Sequence, residues 1–211
     1  MKKSVVIKAK RMRPINNFVI DYKALLFLVI FICGLIIGIK IIRESDNDIS
    51  TFICNIVKNN YIAMKNCSFL NAFSGIFLLL FLLVFYIYLF GQCSVGFPFI
   101  ALAPLFWGMY SGIIISSYYS MFGLKGIGFC SIVYIPCYAI TAATLIRGCC
   151  IGTNSSNEIF LGVMSQEWNK QSDYSLKSYT VSFLILLIPL VFSSLLKAGC
   201  YKLFGDLFVL V

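Results

Sequence analysis

Hydrophobic positions in this chain run in long blocks rather than alternating. Five stretches, 24–42, 71–90, 97–119, 129–150 and 179–196, hold almost nothing polar. Each approaches or exceeds the about 20 apolar residues that a helix needs to cross a hydrocarbon core. In lipid a backbone must satisfy its own hydrogen bonds, so each block predicts a helix. GQCSVG (91–96) separates the second block from the third without a charge, and MFGLKGIG (121–128) reads as a tight turn between the third and fourth.

The polar segments carry a helical period of their own. In 43–69, Ile49, Phe52, Ile53, Ile56 and Val57 fall at i, i+3, i+4, i+7 and i+8, one face of a helix, with Asp48 and Ser50 as caps. Packed on the membrane surface, this is a short amphipathic helix; with a face to spare, Phe52, Ile53 and Ile56 are candidate partner-docking residues. In 151–178, Phe160, Leu161, Met164 and Trp168 form a partial apolar face after Asn157, which predicts a second interfacial helix. The tail 197–211, apolar apart from Lys197, Lys202 and Asp206, is expected to lie in the interface.

Composition sharpens this picture. Of 211 residues, 60% are hydrophobic and only 12% are charged, against about 25% charged in soluble domains. The expected fold class is therefore all-α: a polytopic membrane protein, a bundle of about five transmembrane helices with short amphipathic interfacial helices. Residues 1–23 form a basic arm and 24–211 a single integral membrane domain.

The net charge of +9 is uneven, because seven of the 17 Lys and Arg residues lie in the first 23 positions. A basic arm can bind nucleic acid. Abutting an apolar span, it instead reads as an orientation signal or lipid contact. The first span is too long for a signal-peptide core and lacks a small-residue cleavage site, so a retained anchor is expected. The arm predicts a multi-pass protein of the cell membrane with a cytoplasmic N-terminus, an extracytoplasmic 43–69 segment and an extracytoplasmic C-terminus.

Candidate chemistry is sparse. There is no histidine, and the nine cysteines form no CxxC pair. Cys54 and Cys67 share a polar segment and could bridge if it is extracytoplasmic. All eight acidic residues lie outside the span interiors, no lysine lies well inside a span, and no GxSxG occurs. Arg147, at the end of the fourth span, reads as a snorkelling anchor. No catalytic residue, metal ligand or cofactor site is expected, and the reading is non-enzymatic.

What remains is packing. Gly34 and Gly38 form GxxxG in the first span, Gly108 and Gly112 in the third, and Ala139 and Ala143 continue the small-residue spacing in the fourth. Contact within the chain is the expectation, with a homo-oligomer the alternative. Gly96 and Pro98 mark the start of the third span, Pro104 and Pro136 predict kinks, and Gly123, Gly126 and Gly128 the turn.

The order of these features resembles the stage II sporulation protein M family of bacterial membrane proteins. The similarity rests on Asn59-Asn60, SVGFPFI (94–100), WGMYSG (107–112), FGLKGIG (122–128) and Ile135-Pro136, and covers 59–152. It implies a five-span scaffold acting in septal thinning and engulfment during sporulation, which recruits the peptidoglycan-degrading stage II sporulation proteins D and P without being a hydrolase. A second expectation comes from the spans themselves: a permease or accessory subunit of a membrane transporter, with a water path near Gly108, Gly112 and Pro136.

Overall fold

The computed structural model describes residues 22–165 and 172–204. The basic arm before Tyr22, Trp168 and the tail beyond Phe204 lie outside the described residues. The described chain is all-α: α1 (Tyr22–Glu44), α2 (Asn47–Asn66), α3 (Phe69–Gly91), α4 (Phe97–Phe129), α5 (Ile135–Ser165) and α6 (Ser172–Phe204), with one π-helical turn, Cys130–Tyr134, joining α4 to α5.

Four continuous helical stretches are long and apolar enough to cross a membrane: Tyr22–Glu44, Phe69–Gly91, Phe97–Leu161 and Leu176–Leu203. The protein is multi-pass. The third stretch is not one rod. At Gly123 the backbone turns to φ 56°, ψ −133°, a region that side chains with a Cβ rarely enter. Beyond it the chain folds back, so that the Cys149 thiol lies 3.7 Å from the Ile100 carbonyl. The Gly96 amide donates to Ser156 Oγ over 3.2 Å at the far end. The two limbs are where the sequence places its third and fourth spans.

The turn is tight because Gly126 lies against the Tyr118 carbonyl, where a Cβ would collide. Gly128 follows inside the last turn of α4. Pro98 sits at the helix start, where its missing donor is an orphan anyway. The kink expected at Pro104 is not where α4 bends; its only non-helical dihedrals are at Gly123. Pro104 is buried where α1 packs against that stretch, and neighbouring helices can hold a proline-containing segment straight. At Pro136 the backbone instead widens one turn earlier, into the π-helix. Such bulges accommodate a broken i→i−4 ladder.

Three boundaries differ from expectation. α2 is a full 20-residue helix whose N-cap is Asp46, with Asp48 inside its first turn. α5 runs unbroken through Ser165, so Asn157 is not a cap and no separate interfacial helix begins there; Phe160 and Leu161 stay exposed on its extension. α6 continues through Lys197 to Phe204 because Ala198 and Tyr201 carry its buried stripe onward. Charge had marked those ends in sequence, but packing sets them in the fold.

The core lies among α3, the α4–α5 hairpin and α6, with α1 laid along α4. At the end covered by α2 it is mainly aromatic. Tyr61, Tyr118, Phe129, Tyr134 and Tyr201 form one cluster, with ring centroids 5.4–6.4 Å apart. Tyr118 and Tyr134 hydroxyls lie 3.1 Å apart, and Tyr134 also bonds Tyr201. At the opposite end Tyr179 donates to the Tyr88 carbonyl at 2.9 Å, and Lys23 reaches Asn154 at 2.5 Å.

Candidate functional site

The four motif glycines face one another. A Cβ on Gly34 would strike the Leu105 carbonyl, and on Gly38 the Met109 carbonyl. A Cβ on Gly108 would strike the Phe31 carbonyl and on Gly112 the Leu35 carbonyl, with Gly34 and Gly38 Cα each at 3.2 Å. Numbers rise together along both helices, so α1 and α4 run parallel with their backbones in contact, as small-xxx-small spacing permits. The glycine faces are thus used within the chain. Where a transport path was expected, Gly108 and Gly112 are filled by α1 backbone, and Pro136 faces outward.

Ala139 and Ala143 do not join this packing. Both are exposed. The buried face of α5 runs instead through Tyr138, Thr141, Ala142, Leu145 and Cys149. Hydroxyls select it: Thr141 and Ser193 share a 2.9 Å hydrogen bond between α5 and α6, and Ser193 donates to the Cys137 carbonyl at 3.0 Å. Turning these polar atoms inward leaves the alanines on the opposite side.

The predicted apolar face of α2 splits in two. Val57, Cys54 and Tyr61 are buried, and Ile53 is half-buried. Ile49, Phe52 and Ile56 remain 52%, 65% and 45% exposed. Cys54 and Cys67 are both free thiols. Cys54 lies near the middle of α2 and Cys67 caps its C-terminus, about 20 Å apart at 1.5 Å per residue, and a disulfide needs Cα atoms within about 7 Å.

The continuation of α6 creates a site that the sequence did not announce. Lys197 is half-buried, and its Nζ lies 5.0 Å from the Tyr134 ring centre and 4.9 Å from that of Tyr138. It points inward over two aromatic faces, a cation–π arrangement. Beside it is a cavity of about 70 Å³ lined by Trp107, Tyr138, Thr141, Ser193, Lys197 and residues of α2 and α3. Two of its lining residues, Trp107 and Tyr138, carry a buried polar atom, the indole Nε1 and the hydroxyl, without a hydrogen-bond partner among the described residues. Lys197 also makes no ion pair among the described residues. Ser193, one turn before it, donates to the Cys137 carbonyl. Compared with known proteins, the chain matches no family profile, no curated protein and no solved structure.

A basic residue closing an apolar run reads as its end, so in the sequence Lys197 marks a boundary rather than a site. The signal was Ala198 and Tyr201 just beyond it, on the stripe of Leu190 and Ser194. Among the described residues no cluster of His, Cys, Asp and Glu could hold a metal. Arg147 is exposed on α5, opposite the hairpin's buried face.

Proposed function

We propose that this protein is a non-enzymatic membrane scaffold similar to stage II sporulation protein M, recruiting peptidoglycan-remodelling proteins during septal thinning and engulfment. The observation that supports this reading is α2. Its inner face is anchored by Val57 and Tyr61 on the bundle, while Ile49, Phe52 and Ile56 stay exposed along one side. A half-seated amphipathic helix offers apolar anchors at helical spacing, the form in which helix-in-groove partners are read. The partners implied by the resemblance are stage II sporulation proteins D and P.

The test is co-purification of co-expressed stage II sporulation proteins D and P with the full chain. Phe52→Asp with Ile56→Asp removes the exposed face without touching the buried one. The double variant is expected to reach the membrane at normal levels and lose both partners. Retention of both would end this assignment.

A further inference from the structure

We infer that the Lys197 cavity is a binding site for an oxyanion, the phosphate of an anionic lipid entering from the membrane. The unmet chemistry in the cavity is nearly all of one kind. Lys197 has no ion-pair partner among the described residues. The Trp107 indole N–H can only donate, and the Tyr138 hydroxyl is buried with nothing to bond. An ammonium inside a span is costly unless something compensates it, and two ring faces compensate only in part. A group with a negative charge and several acceptor oxygens compensates the ammonium and brings acceptors beside Trp107 and Tyr138. A cationic ligand is repelled by Lys197, and a purely apolar one leaves the donors unmet.

The mouth indicates the source. On α3 the cavity is bordered by Gly75 and Leu79, both exposed on the helix's apolar outer side, and nothing lies within 4 Å of where a Gly75 side chain would begin. Lys197 is about 10 Å along the helix from Phe204, at 1.5 Å per residue, so the site is reached sideways from lipid near one end of the bundle. The cavity holds roughly five water-sized volumes at ~15 Å³ each, room for a phosphate while the acyl chains stay outside along α3. Ordered water alone is the competing occupant.

The chain has two tryptophans, so Trp168→Phe leaves Trp107 as the sole indole reporter. The experiment reconstitutes this variant in vesicles and measures quenching of Trp107 by brominated phosphatidylglycerol and by brominated phosphatidylcholine. The expected result is about fivefold stronger relative binding of the anionic lipid, the effect of one basic residue beside an anionic headgroup. Lys197→Met should reduce that ratio to about one. Gly75→Phe, which adds its ring in open space at the mouth, should lower Trp107 quenching by either lipid, and it serves where the lysine variant does not fold. Inorganic phosphate that displaces the brominated phosphatidylglycerol would keep the oxyanion site and assign it to a soluble ligand. Equal quenching by the two lipids, unchanged by Lys197→Met and by phosphate, would overturn the proposal and leave the cavity to water.

Discussion

A methyl group on Gly108 has nowhere to go. Its Cβ would meet the Phe31 carbonyl and Leu35 amide of α1, backbone atoms that cannot turn aside. We therefore expect Gly108→Val to destabilise the protein by about 1–3 kcal/mol, the usual range for overpacking. Ala139→Val, on the exposed face of α5, should stay within about 0.5 kcal/mol of the parent. Thermal unfolding of both variants in one detergent checks the pair; equal midpoints would refute the backbone contact. The same two positions show what single residues reveal in sequence. Glycine spacing was legible because only glycine lets backbones touch. Alanine spacing misled because alanine fits lipid and core alike. Trp107 and Tyr138 were invisible as a pair, since their meeting depends on the hairpin that brings α4 onto α5.

At the scale of elements, every apolar block falls in helical chain, and the Gly-rich turn falls where the chain reverses at Gly123. The ends were harder to read. α5 and α6 both outrun their apolar blocks, because buried stripes such as Ala198 and Tyr201 continue past the charges that seemed to stop them. α2 was legible as an amphipathic helix, yet its length decides a chemical question. One continuous helix from Asn47 to Asn66, capped by Cys67, holds Cys54 and Cys67 far apart. Oxidised and reduced protein should therefore have the same mass and gel mobility. A thiol reagent should modify exposed Cys67 well before buried Cys54, read by peptide mass spectrometry after brief labelling. A two-dalton loss linking the two peptides would mean that α2 does not persist.

For the whole molecule, hydropathy read the class and the multi-pass character, because lipid imposes one rule on every span. The basic arm predicts an orientation, N-terminus in the cytoplasm, that labelling can test. We expect a cysteine at Asp46, in a background cleared of native cysteines, to react with a membrane-impermeant maleimide added outside intact cells. A cysteine at Lys177 should react only after permeabilisation. The reverse pattern would invert the topology and put α2 in the cytoplasm, away from any cell-wall partner. The candidate ligand cavity was not legible at this scale, because it is assembled from helices far apart in sequence and from a lysine that hydropathy assigns to a boundary.

The parallel contact between α1 and α4 also has a temporal side. Gly34 and Gly38 are made early, but the backbone they must touch arrives only after α2 and α3 are complete. Until α4 is made, the glycine face of α1 has no backbone to meet, and non-local contacts of this kind close late. The seating of α1 is therefore expected to wait for α4, beyond α2 and α3 along the chain, and can precede the packing of α5 and α6.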